Sequence, residues 1–143
     1  LDVTIQAQVL NMMNDLKKNL DTSVVLITHD LGVVAQVADH VNVMYAGKVV
    51  ESAPVNELFE NPKHPYTIGL MKSMPSLADK EERLSTIEGS VPNSLYLPKG
   101  CYFADRCPFA MEKCKAEQPS DTKIKSRHHV WCFLHEEEDH ARK

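Results

Sequence analysis

The sequence predicts an α/β fold followed by a small, irregular, metal-binding extension. Three observations predict it. Apolar residues recur at helical spacing near the start, a wholly apolar and mostly β-branched run follows them, and all four cysteines fall after Gly100.

Taken in order, Asp2 or Thr4 can cap a first helix through a side-chain oxygen. Ile5, Val9, Met12, Leu16 and Leu20 then recur at steps of three or four, one apolar stripe suited to packing on a sheet. Within Ser23-Val-Val-Leu-Ile-Thr28, four consecutive apolar residues predict a strand buried on both faces, as in parallel sheets covered by helices. Asp30 can cap a helix from Leu31 to about Ala38. Val41, Val43 and Tyr45 alternate along a strand from His40 to Tyr45. Ala46-Gly47 turns the chain and Lys48 to Glu51 returns it, which predicts a hairpin. Pro54 opens a short helix, Val55 to Glu60, and Asn61-Pro62 ends it. Another helix starts at His64-Pro65-Tyr66-Thr67 and runs to about Lys72, stopped by Pro75. From Ser76 to Lys99 the charged run and the prolines predict an extended connector, with one short strand around Leu84 to Ile87. Glu136 to Lys143 reads as a frayed charged tail.

Composition narrows the function. The 143 residues are 43% hydrophobic and 25% charged, an ordinary globular balance. A net charge of −4 argues against a broad polyanion-binding face, and hence against a zinc-stapled nucleic-acid binder. No apolar run approaches the roughly 18 to 20 residues of a membrane span, so a membrane role must run through a partner. The chain opens on Leu1 rather than methionine, so the lack of a signal peptide carries no information.

Ligands of open α/β sheets bind beyond the carboxyl ends of the strands, where His29 falls. An imidazole there can donate to a phosphate oxygen as charge develops, or simply be held by a backbone carbonyl. The wording around it is specific. Leu1-Asp2 with the helix after it, then VVLITHDLGVVAQVADHVNVMYAGKVVE, resembles the last third of an ABC-transporter ATPase domain. The resemblance implies a P-loop NTPase-like fold that uses ATP and Mg²⁺. It implies that Asp2 ends the D-loop, reaching across an ATP-sandwiched dimer, and that His29 is the switch histidine at the γ-phosphate. Ala53, where relatives often have glycine, is a departure expected to affect a turn. Asn61-Pro-Lys-His64-Pro65-Tyr66-Thr67, with Leu70, Ser73 and Pro75, is similar to the C-terminal extension of oligopeptide and dipeptide importers. For His-Pro-Tyr itself, helix initiation and docking suffice as an explanation. The implied organisation is residues 1–60 as the C-terminal part of the ATPase domain and 61–143 as the importer extension.

The sequence holds no G-x-x-x-x-G-K-[ST] phosphate loop, no Leu-Ser-Gly-Gly-Gln signature and no acidic strand for Mg²⁺. The expectation is that these residues alone neither bind ATP tightly nor hydrolyse it. The strand at 23–28 would then lack parallel neighbours, and open edges would favour self-association.

The cysteines follow C-x5-C-x6-C-x17-C at Cys101, Cys107, Cys114 and Cys132. Spacing alone is compatible with a disulfide framework, a four-thiolate zinc site or an iron–sulfur cluster, and departs from the usual knuckle and ferredoxin patterns. The ATPase resemblance points to the cytosol and so away from disulfides. Gly100-Cys101-x-Phe103-x-x-Arg106-Cys107-Pro108-x-Ala110-x-x-x-Cys114, with Val130-Trp-Cys132, resembles the tail of the peptide-importer ATPases, which implies a [4Fe–4S] cluster on these four cysteines. Zinc is the alternative, and His128, His129 and His135 are either substitute zinc ligands or solvated surface histidines.

The resemblance thus implies the C-terminal part of an ATP-hydrolysing subunit of a peptide ABC importer, peripheral on the cytoplasmic face of the membrane. Its partners would be membrane-spanning permease subunits, a second ATPase subunit and, indirectly, a peptide-binding protein. The competing reading is a stand-alone iron–sulfur or zinc module with no ATPase role, for which an H-loop would have no use.

Overall fold

The computed structural model describes residues 3–20, 22–74 and 87–136. The chain divides into two compact units, meeting in sequence at Asp39 and His40.

The first unit holds helix α1, Val3–Leu20, and helix α2, Leu31–Val37. In α1 the stripe Ile5, Val9, Met12, Leu16 and Leu20 is exposed rather than packed on a sheet, and Leu10 is the buried apolar residue. The predicted strand at Ser23–Thr28 is likewise not formed. The segment is irregular, with Val25 at 90% and Ile27 at 95% exposure. An extended segment becomes a strand only when a neighbour takes up its backbone N–H and C=O groups. No strand of this unit lies beside it among the described residues. Side-chain links within the unit include Lys17 Nζ to Asp39 Oδ2 at 2.5 Å and Gln6 Nε2 to Asp30 Oδ2 at 3.3 Å.

The second unit is built on an antiparallel sheet in the order β1-β2-β4-β3, comprising His40–Tyr45, Lys48–Pro54, His128–Val130 and Thr122–Lys125 for β1, β2, β4 and β3 respectively. The predicted hairpin is β1 and β2. Its two-residue turn puts Ala46 at φ 46° and Gly47 at φ 82°, the paired left-handed geometry that matches strand twist. Ala53 pairs with Val41 inside β2 and is fully buried, so this position lies in a strand and not in a turn. Helix α3, Val55–Glu60, and helix α4, Pro65–Lys72, follow as predicted. Pro65 occupies the first turn of α4, and His64 Nδ1 accepts from Tyr66 N–H at 3.0 Å as its cap.

The tail is more ordered than predicted. It holds the short helix α5, Glu112–Ala116, two single 3₁₀ turns at Ala104–Arg106 and Phe133–His135, and the strands β3 and β4. Strand β4 pairs with β2 through Glu51–Val130 and Ser52–His129, and Trp131 N–H donates to Val50 O at 2.9 Å. The tail therefore extends the hairpin's own sheet. Leu58, Val130 and Phe103 are closed off from solvent in the core of this unit, each contributing about 2 to 3 kcal/mol by burial. Phe103 meets Tyr45 edge-on at 5.2 Å, and Tyr45 meets Tyr66 edge-on at 4.7 Å. Of the strand predicted around Leu84 to Ile87, only Ile87 lies within the described residues, and it is irregular.

Candidate functional site

Asp30 builds the surroundings of His29. Its carboxylate accepts from Val33 N–H at 3.1 Å, and its own N–H donates to Thr28 Oγ1 at 3.0 Å. The bond from Val33, then that from Gln6, holds the Asp30 carboxyl below its ordinary range. The capped turn leaves His29 exposed at the bend before α2, free to meet a ligand from solvent. Asp2 lies outside the described residues.

The four cysteines come together. Cys101, Cys107, Cys114 and Cys132 all line one small pocket, with Phe103, Phe109, Phe133 and His64 among its walls. All four are free thiols. Tight local turns carry them: Cys101 N–H donates to Cys114 O at 2.7 Å, Ala104 N–H to Cys101 O at 3.0 Å, and His135 N–H to Cys132 O at 3.2 Å. Gly100 permits the first of these, because a Cβ there would collide with the Cys114 and Lys115 backbone.

One backbone donor reaches a sulfur directly, and others lower the thiol pKa values of the remaining three. Met111 N–H donates to Cys114 Sγ at 3.4 Å. The N–H groups of Phe103 and Ala104 serve Cys101, that of Phe109 serves Cys107, and that of Leu134 serves Cys132. Burial, and secondarily the neighbouring sulfurs, raise the Cys101 and Cys107 thiols and push Cys132 up to about 12. Without a cation these three thiols are thus held protonated, and a bound metal would take the place of that proton. Among the described residues no three Cys, His, Asp or Glu side chains converge closely enough to hold a metal ion.

The tail histidines neither join the cysteines nor all lie in solvent. His128 is buried and its Nε2 sits 2.8 Å from Glu51 Oε1. His129 pairs with Asp121 at 2.9 Å, and His135 Nε2 donates to Lys63 O at 3.1 Å. Sequence reasoning missed Glu51, a carboxylate buried in β2 directly after the buried Val50, and the place of His64 in the thiol pocket. Arg106 was noted only for its place in the cysteine wording. Its guanidinium donates to Glu88 O at 2.9 Å, Ile87 O at 2.7 Å and the Tyr45 hydroxyl at 3.2 Å.

Residues 50–114, which run from β2 through α3 and α4 to the third cysteine, match the family described as "Oligopeptide/dipeptide transporter, C-terminal region". The chain therefore resembles the C-terminal part of the ATP-binding subunits of oligopeptide and dipeptide ABC transporters. Among individual relatives, it is 56% identical over 138 residues to the oligopeptide transport ATP-binding protein AppD of Bacillus subtilis, covering 96% of this chain and 42% of the relative. It is 52% identical over 115 residues to the oligopeptide transport ATP-binding protein OppD of Haemophilus influenzae, covering 80% and 36%. The OppD protein of Bacillus subtilis is 51% identical over 135 residues, covering 94% and 38%. The chain thus spans about two fifths of the length of these curated relatives. No helix among the described residues is long and apolar enough to cross a membrane.

Proposed function

We propose that the chain is the C-terminal part of the ATP-hydrolysing subunit of a peptide ABC importer. Residues 1–60 serve as the end of the ATPase domain, and 61–143 as the importer extension. The observation that carries this reading is the 56% identity to an oligopeptide transport ATP-binding protein over 138 residues, nearly the whole chain. The intact subunit pairs with a second ATPase subunit on the cytoplasmic face of the membrane and drives permease subunits with ATP and Mg²⁺. His29, presented by the Asp30 cap, donates a hydrogen bond to the γ-phosphate as negative charge gathers on it. Asp2 reaches across to the partner ATPase.

For the four cysteines the reading is a [4Fe–4S] cluster, with zinc as the alternative; it rests on the donor set, because in this structure no three of the sulfurs converge closely enough to hold an ion. Four reduced sulfurs line one pocket, and Met111 N–H donates to that of Cys114. When bound, such a group supplies four covalent anchors that cross-link a loop-rich segment with little core of its own.

The test joins this sequence to an upstream ATPase half from a relative and measures ATP hydrolysis. His29→Ala lowers kcat by about 10²- to 10³-fold, the usual effect of removing one donor to developing charge. An unchanged kcat overturns the role of His29. The 143 residues alone release no phosphate above background, and release at the rate of the joined protein contradicts that expectation.

A further inference from the structure

We infer that the cavity beside the start of β2 is a binding site for a small organic carboxylate, with Lys48 pairing the charge and Trp131 and Tyr102 walling the apolar body. The inference depends neither on the cysteine reading nor on the ATPase reading given above.

The cavity arises where the sheet loses a strand. Strand β4 pairs with β2 through Glu51–Val130 and Ser52–His129, and Trp131 N–H still reaches Val50 O at 2.9 Å. The chain then leaves the sheet for the 3₁₀ turn Phe133–His135. Lys48 and Val49 are left with no strand on that side among the described residues. The space alongside them is closed by Tyr102, by residues 118–120 and by Trp131. It measures about 350 Å³, within the roughly 300 to 1,000 Å³ of small-molecule sites.

The walls carry donors and no acid. The Lys48 ammonium, the Tyr102 and Ser120 hydroxyls and the Trp131 indole N–H all belong to lining residues, and none has a hydrogen-bond or ion-pair partner among the described residues. Lys48 Nζ lies 5.9 Å from the centre of the Tyr102 ring. Gln118 also lines the cavity, but its amide N–H already donates to Gly100 O. No Asp or Glu is among the described lining residues, and Lys48 is the one charged side chain there. A cavity rich in donors and free of acid favours a negatively charged acceptor. One lysine, with no arginine and no helix N-terminus beside it, matches the single charge of a carboxylate rather than the charge of about two on a phosphate ester. Val49, Pro119 and the half-buried faces of Tyr102 and Trp131 suit an aromatic or aliphatic body, while Lys48 stands exposed to meet the charge. The C-terminus of a short peptide and a free aromatic acid share this chemistry.

Trp131 is the single tryptophan of the chain, so its fluorescence and its indole N–H resonance both report from the wall of this cavity. The experiment titrates the 143-residue chain with alanyl-phenylalanine, with phenylacetate and with the amide of each. At least one acid is expected to give a saturable change in these signals, and the tighter of the two names the source, peptide or free acid. Its amide is expected to bind about 10-fold more weakly, because the charged acceptor is gone. Lys48→Met is expected to lose about 10-fold in affinity for the acid with its urea midpoint unchanged, and Lys48→Arg to recover most of that loss. No saturable change in either signal with either acid overturns the site, as does equal affinity for acid and amide. A Lys48→Met protein that binds as wild type overturns the role of Lys48. Displacement of the acid by an equal concentration of inorganic phosphate overturns the assignment of a carboxylate.

Discussion

His128 Nε2 stands 2.8 Å from Glu51 Oε1, and both side chains are closed off from solvent. The same carboxylate accepts from Lys63 N–H at 2.7 Å and from His64 N–H at 2.9 Å. Glu51 on β2 thus joins β4 to the loop that starts α4. Glu51→Ala leaves three donors, two of them buried, without an acceptor and is expected to cost about 3 to 5 kcal/mol in urea unfolding. His128→Leu removes one donor from a carboxylate that keeps its two backbone bonds, and is expected to cost less, about 1 to 3 kcal/mol. Equal losses, or the reverse order, would show that Glu51 is not the hub.

Gly100 meets the backbone of Cys114 and Lys115 so closely that a Cβ has no room. Backbone atoms cannot swing aside as a flexible side chain can. Gly100→Ala should therefore break the 2.7 Å bond from Cys101 N–H to Cys114 O and displace Cys101 from the pocket. The expected loss is about 1 to 3 kcal/mol, with metal uptake falling alongside it. Wild-type stability and iron content in this variant would refute the close approach.

The His64 pKa lies at about 4, below the ordinary 6.5, chiefly because burial disfavours the charged ring. The folded-state value is depressed, so the unfolded chain binds more protons between these two values. The stabilising contribution is full above pH 6.5 and is lost as pH falls through 6.5 toward 4. It is on the order of 3 kcal/mol. Urea midpoints of the metal-free chain measured across this window should fall more steeply for wild type than for His64→Asn. Parallel slopes would contradict the burial of a neutral ring.

What could be read from the sequence depended on where the information lay. The β1–β2 hairpin and the helices α3 and α4 were legible because turn and cap residues act within a few positions: Ala46-Gly47, Pro54, and His64-Pro65. Strands β3 and β4 were not. Thr122–Lys125 is four residues with a lysine at every second place, and His128–Val130 is only three. β4 becomes a strand by pairing with the distant β2, and β3 then pairs with β4 across a two-residue turn. The reverse failure occurred at Ser23–Thr28, where the residue pattern is right for a strand and the described residues supply no partner. The cysteine grouping was readable from composition, whereas His64 was hidden because its capping role already explained it.

Ala46 carries a left-handed φ of 46°, a conformation that costs a residue with a Cβ about 1 to 2 kcal/mol. Asparagine tolerates it, and Asn-Gly is the favoured pair for this turn. Ala46→Asn is expected to stabilise the hairpin unit by about 0.5 to 1 kcal/mol, seen as a Tm a few degrees higher. A lower Tm would mean that the turn is not of this type.

The first unit leaves apolar side chains in solvent: Val25 and Ile27 in the irregular segment, and Met12, Leu16 and Leu20 on α1. Apolar surface of this kind is normally covered, and an extended β-branched segment also offers unpaired backbone groups. Isolated chains are therefore expected to associate with one another through residues 23–28. Light scattering across a dilution series should give a mass above that of one 16.1 kDa chain, falling as the protein is diluted. Replacing Val25 and Ile27 together by serine removes apolar area and β propensity where neither side chain has packing to lose, so the double variant should stay monomeric with its unfolding midpoint unchanged. A wild-type mass equal to one chain at every concentration would refute association. Association that persists in the double variant would move the contact from the 23–28 segment to the stripe on α1.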